Sequence, residues 1–204
     1  MSLRRVTAAL VAVGWVVALI GLTATRARPA SPAFHGLKIS PAAPVAEFVL
    51  LDQHRRSFSL RGQRGRAVVL AFGYTHCPDV CPATLGMLKR VHAELGADAG
   101  RVRFVFVTTD PVRDTPERLT HYLALFRADF VGLTGSPTAL ARVYRDFGIY
   151  PERYTAAANA APYLVSHATA VYLIDPAGLL RFSYPWAMRP RDFAEDIHLV
   201  LNGY

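Results

Sequence analysis

The run "AVVLAFGY" at 67 to 74 is apolar at nearly every position rather than at alternate ones. A strand with that pattern is buried on both faces of its sheet, so helices must cover it from both sides. The neighbouring segments supply them. A helix is expected from about Pro82 to Leu95, a strand over "RVRFVFVTT" (101 to 109), and a second helix opened by Thr115, Pro116 and Glu117. A short strand near 130 to 133 and a helix over 137 to 147 come next. Two hairpin-like strands, "ATAVYLID" (168 to 175) and "LLRFSY" (179 to 184), flank "PAG", and a last helix fills 190 to 202. Upstream, "EFVLLD" (47 to 52) and "SFSL" (57 to 60) read as a short hairpin, and 148 to 166 reads as an inserted loop or small hairpin.

Strand, helix, strand, helix, then a hairpin and a helix predict an α/β fold of thioredoxin type, a thioredoxin-like sandwich over 45–204. Two segments precede it. Residues 6 to 25, "VTAALVAVGWVVALIGLTAT", carry no charge over twenty positions. That is long enough to cross a hydrocarbon core of about 30 Å as a helix. Cleaved signal peptides have apolar regions of about 7 to 15 residues. The expectation for 1–28 is therefore an N-terminal transmembrane signal anchor, with cleavage near Ala24 or Ala30 as the alternative. The Pro-, Ala- and Ser-rich stretch 29–44 reads as a linker. An anchor implies a membrane-tethered domain on the exported side, in a bacterium the periplasmic face of the inner membrane.

Of the formal charge of +8, the four arginines beside the apolar segment (Arg4, Arg5, Arg26, Arg28) carry +4, which leaves +4 on the remainder. The basic cluster "HRRSFSLRGQRGR" (54 to 66) reads as a solvated hairpin. No nucleic-acid-binding motif accompanies it, and no nucleic-acid partner is expected.

The chain has two cysteines, both in "FGYTHCPDVCPATL" (72 to 85). A domain of this size buries a core without a staple, and closing roughly a four-residue loop removes little entropy from the unfolded chain. Cys77 and Cys81 therefore read as a redox pair or as part of a metal site. They sit where the long buried strand ends and the next helix begins, an edge of the sheet that such folds use for chemistry. A thiol at a helix N-terminus faces the positive end of the dipole, which favours thiolate. Four-residue spacing over one helical turn would place both side chains on the same face. Asp79 reads as the cap of that helix. Ordinary thiol oxidoreductases use Cys-x-x-Cys, with two intervening residues where this chain has three. They also carry a proline near the position held here by "SHATAVYLID". The spacing of Thr75 excludes a thiol peroxidase loop.

"GYTHCPDVCP", then "TTDPVRDTPERL" at 108 to 119, then His167 placed 86 positions beyond Cys81 and followed by "YLIDPAG", resembles the SCO/SenC family of membrane-anchored copper proteins for cytochrome c oxidase assembly. The likeness runs from about 45 to 202. It implies that Cys77, Cys81 and His167 bind one copper ion, Cu(I) or Cu(II). Family histidines are often preceded by an acidic residue and followed by Ser or Thr, whereas this chain has Ser166 and Ala168. Two thiolates and an imidazole suit Cu(I), whereas structural zinc would want four ligands. Asp110 is the nearest candidate for a weak oxygen partner, with a turn or cap role as the alternative. His76 adjoins Cys77 but should point away. His35, His54, His92, His121 and His198 have no motif context.

The function implied is a copper chaperone delivering copper to the dinuclear copper centre of an oxidase subunit. The alternative from the enzyme class is a thiol–disulfide reductase, with Cys77 and Cys81 as its redox-active pair, that keeps that subunit's cysteines reduced. A redox-inert binding module is the third reading. The expected partners are the copper-receiving oxidase subunit, other copper chaperones or thiol reductants, and the membrane through the N-terminal helix.

Overall fold

The computed structural model describes residues 33–154, 163–166 and 168–204. Among the described residues, ten strands and four α-helices follow one another: β1 (Leu37–Pro44), β2 (Val49–Asp52), β3 (Ser57–Ser59), β4 (Ala67–Gly73), α1 (Val80–Glu94), β5 (Val102–Thr108), α2 (Pro116–Ala124), β6 (Val131–Thr134), α3 (Pro137–Asp146), β7 (Arg153–Tyr154), β8 (Leu164–Val165), β9 (Val171–Ile174), β10 (Leu179–Tyr184) and α4 (Pro190–Leu201). Eight of the strands form one sheet in the order β1-β10-β9-β4-β5-β6-β2-β3, and β7 and β8 form a separate two-stranded ladder. β4, β5 and β6 run parallel, joined by α1 and α2, while β9 is antiparallel to β4.

All seven residues of β4 are buried, as a strand covered on both faces requires. Alternate side chains enter two cores. Val69 and Ala71 pack with Leu88 and Val91 of α1, Leu119 of α2 and Ile197 of α4. Val68, Leu70 and Phe72 pack on the other face with Leu140 and Val143 of α3. Caps fix the helix starts: the Thr115 hydroxyl accepts from Arg118 N and the Ser136 hydroxyl accepts from Ala139 N, both at 3.2 Å. Proline opens α2, α3 and α4, where a missing N–H costs nothing.

The structure departs from the linker reading of 29–44. Residues 37 to 44 form the edge strand β1, antiparallel to β10. Just upstream, the carboxylate of Asp196, fully buried in α4, accepts hydrogen bonds from His35 N, from Gly36 N at 2.9 Å and from the Tyr184 hydroxyl at 3.0 Å. The His35 ring nitrogen Nδ1 lies 3.0 Å from the same carboxylate. That contact holds the His35 pKa above its ordinary 6.5. The folded state therefore favours the imidazolium. The stability this contributes is complete below pH 6.5 and is lost as pH rises through the folded value. His35→Gln should flatten the pH dependence of urea unfolding above that point. A variant profile that overlays the wild type would disconnect His35 from Asp196.

Among the described residues no helix is long and apolar enough to cross a membrane. The apolar stretch 6–25 lies outside the described residues. The basic cluster 54–66 covers the solvent-exposed β2–β3 turn and the turn after β3. Arg55 pairs with Glu117 at 2.7 Å and Arg56 with Asp52 at 2.9 Å.

Candidate metal and redox centre

β4 and β5 end side by side, tied by Thr109 N donating to the Gly73 carbonyl at 2.7 Å. The loops that follow, 74–79 and 109–115, therefore share the carboxyl edge of the sheet. The first loop carries Cys77 and delivers Cys81 into the first turn of α1. The α1 start at Val80 leaves Cys77 off the helix, so the two cysteines are not on one helical face. Their contact is of another kind: Cys81 N donates to Cys77 Sγ at 3.4 Å. The Cys77 sulfur thereby occupies the place of a helix cap. Asp79 stands at the N-cap position but makes no side-chain cap hydrogen bond, contrary to its expected role.

The two sulfurs are unequal. Cys77 is half-buried and Cys81 is 2% exposed, both as thiols. The hydrogen bond with Cys77, and then burial, push the Cys81 thiol well above the usual thiol range. Cys77 is thus the sulfur a partner reaches, and Cys81 the one seated behind it. The close seat of Cys81 depends on a missing side chain. A Cβ at Gly73 would lie 2.6 Å from Cys81 Sγ.

The cysteine loop is fixed from below by Asp114, fully buried at the end of the second loop. Its carboxylate accepts from Thr75 N at 3.1 Å, from the Thr75 hydroxyl at 2.7 Å and from the Thr108 hydroxyl at 2.6 Å. Burial outweighs these donors and raises its pKa above the usual carboxylate range. Arg118 Nε donates to the same Thr75 hydroxyl at 3.2 Å. The sequence reading missed Asp114, although the regular Asp-x-x-x-Asp spacing in "DPVRD" was visible. His76 turns toward this anchor, with Nδ1 3.1 Å from the Thr75 hydroxyl.

Across from the cysteines stands the β7–β8 ladder. Val165 of β8 is buried in a cluster with Tyr74 and Cys81, against which Cys77 and Tyr163 pack. Tyr74, three residues before Cys77, hydrogen-bonds with the Val165 backbone, and burial raises its phenol pKa. A cavity of about 290 Å³ opens here, lined by Tyr74, Cys77, Pro78, Tyr154, Val165 and Ser166 among others. His167, the third residue of the predicted ligand set, lies outside the described residues; Ser166, its chain neighbour, lines the cavity. Asp110 is fully buried, and its carboxylate is engaged by Arg113, Arg153 and the Tyr163 hydroxyl. Its backbone carbonyl accepts from Arg113 N at 3.2 Å and from Asp114 N at 3.0 Å, so it also forms the turn there. Of the other histidines, His92 and His198 face Asp129 and Asp98. Among the described residues, His35, Asp192 and Glu195 also bring three ligand-type atoms within 4.8 Å of one another. Arg189 and Arg191 already pair with the two carboxylates there.

Residues 38–202, nearly the whole described fold, match the family model of SCO1/SenC. The chain belongs to the SCO1/SenC family. It is 33% identical over 205 residues to the mitochondrial protein SCO2 homolog of Bos taurus, covering 98% of this chain and 76% of the relative. Among solved structures, Bradyrhizobium japonicum ScoI with copper bound aligns with a TM-score of 0.71 at 31% identity, over 78% of this chain and 99% of that one. Arabidopsis thaliana ScoI with copper bound aligns at 0.72 and 28%, over 79% of this chain and 100% of that one. The SCO1/SenC protein described here therefore has the thioredoxin-like fold that its sequence predicts.

Proposed function

We propose that this SCO1/SenC protein is a copper carrier that hands copper to the dinuclear copper centre of a cytochrome c oxidase subunit during assembly. The observation that carries the reading is the sulfur pair itself: a reachable Cys77 and a buried Cys81 in hydrogen-bond contact, walled by the segment that leads into His167. Two soft sulfurs and one imidazole suit Cu(I), and a further weak ligand extends the set to Cu(II). The copper-bound relatives support the same cargo. In this reading Cys77, Cys81 and His167 hold the ion, and the exposure of Cys77 lets a recipient's ligands approach. The uncharged segment 6–25 tethers the domain to the membrane on its exported side, the periplasmic face in a bacterium, beside a membrane-bound oxidase. Other copper chaperones or thiol reductants would load or reset the centre.

The unequal exposure of the two sulfurs also favours the second reading, a thiol–disulfide reductase. Cys77 would attack or be attacked, and Cys81 would close the intramolecular disulfide. His167→Ala separates the two. The variant keeps both thiols and the helix start, so it should still form the Cys77–Cys81 disulfide at close to the wild-type rate. It should lose Cu(II)–thiolate absorption and weaken Cu(I) binding, because Cu(II) depends more on nitrogen ligands. Binding of both copper states at wild-type strength would remove His167 from the ligand set.

A further inference from the structure

The β7–β8 ladder has only two residues in each strand, paired as Arg153 with Val165 and Tyr154 with Leu164. So short a ladder does not hold a position by itself. It nevertheless forms one wall of the cysteine cavity. Side chains must fix it there, and they converge on Arg113.

Arg113 lies in the loop after β5, with its side chain 14% exposed. Its Nε donates to the buried carboxylate of Asp110, and its Nη1 donates to the Tyr163 carbonyl at 3.0 Å. The guanidinium carbon sits 3.7 Å from the centroid of the Tyr163 ring and 5.6 Å from that of Tyr74. One planar group thus touches the residue that leads into β8, the residue that opens the cysteine loop, and the buried acid between them. Tyr163 returns the contact, its hydroxyl donating to Asp110 at 2.9 Å. Arg153 of β7 adds a second guanidinium, 5.0 Å from the Tyr163 ring and 3.5 Å from Asp110.

We propose that Arg113 is a positioning residue of this centre: its guanidinium clasps the β7–β8 ladder to the cysteine loop and so sets how tightly the site holds copper. The inference rests on the copper-carrier reading for its consequence, though not for the clasp itself. Arginine suits the task because a flat, delocalised cation stacks on a ring while its edge donates to a carboxylate and a carbonyl. Lysine keeps the charge opposite Asp110 but loses the stack and the fork.

The test compares full-length protein in detergent as wild type, Arg113→Lys, Tyr163→Leu and Tyr163→Phe. Cu(I) affinity is read by competition with a chromogenic chelator, and amide exchange is read at Ser166, whose N–H donates to the Glu152 carbonyl at 2.8 Å. Arg113→Lys and Tyr163→Leu should weaken Cu(I) binding by about 10- to 100-fold, the effect usual for groups that orient metal ligands. Both should speed exchange at Ser166 while β4 amides stay protected. Tyr163→Phe keeps the ring and should stay within about threefold of wild type. Wild-type affinity and Ser166 protection in both Arg113→Lys and Tyr163→Leu would overturn the proposal. So would loss of protection throughout β4, which would mark a general folding defect. If wild type takes up no copper, the carrier reading fails, and Ser166 exchange alone decides whether Arg113 holds the ladder.

Discussion

Asp114→Ala should lower the free energy of unfolding by about 3 kcal/mol or more, the largest effect expected of any single change near the centre. Three donors converge on this carboxylate: the Thr75 amide, the Thr75 hydroxyl and the Thr108 hydroxyl. Thr75 and Thr108 are themselves buried, so water does not readily replace the lost acceptor. Each buried donor left unsatisfied costs about 1–3 kcal/mol. The damage is local as well as global, because Thr75 is two residues from Cys77 and the loop loses its floor. Asp114→Asn keeps one acceptor oxygen and should cost less. It should also change the pH profile. Burial raises the Asp114 pKa, so the folded state binds its proton more readily than the unfolded chain does. Stability from this group is therefore present at low pH and declines as pH rises from 3.8 through the folded value. The Asn variant should lack that decline. Urea unfolding of both variants across pH checks the assignment; an alanine variant as stable as wild type would show that the carboxylate carries no such role.

Gly73→Ala should cost about 1–3 kcal/mol, the range for overfilling a packed core. The added methyl would stand 2.6 Å from Cys81 Sγ and 2.9 Å from the nearest atom of the Phe106 ring, closer than real Cβ contacts come. Cys81 and Phe106 are each 2% exposed, and the strand end is fixed by the Thr109 to Gly73 hydrogen bond. Something must move, and Cys81 Sγ is the atom nearest the added methyl. The variant should therefore show a lower urea midpoint at an unchanged slope, together with slower closure of the Cys77–Cys81 disulfide. Wild-type values for both would mean that the space behind Cys81 is larger than the structure gives it.

Much of this fold was legible because its elements are local. β4 declares itself by an unbroken apolar run, α2 and α3 by a hydroxyl cap followed by proline, and the β9–β10 hairpin by the turn residues between its strands. β1 was not legible: its proline- and alanine-rich sequence has no alternation, and it is a strand only because β10 offers an edge to pair with. The two cysteines were found at the correct edge of the sheet, but their geometry was not. Cys77 stands three residues before the α1 start at Val80, and sequence reading places helix ends only to within about 2–4 residues. Asp114 and Arg113 were hidden for a different reason. Their partners Thr75 and Tyr163 lie 39 and 50 residues away, and only the fold brings them together.

The central claim is that Cys77 and Cys81 exist to bind copper, and anaerobic Cu(I) titration of the reduced and the oxidised full-length protein tests it most directly. The reduced protein should take up one Cu(I) per chain, with loss of thiol reactivity at both cysteines, and the oxidised form should take up none. Stoichiometric binding by the oxidised form, or rapid turnover of a disulfide substrate by a reduced protein that binds no copper, would contradict it.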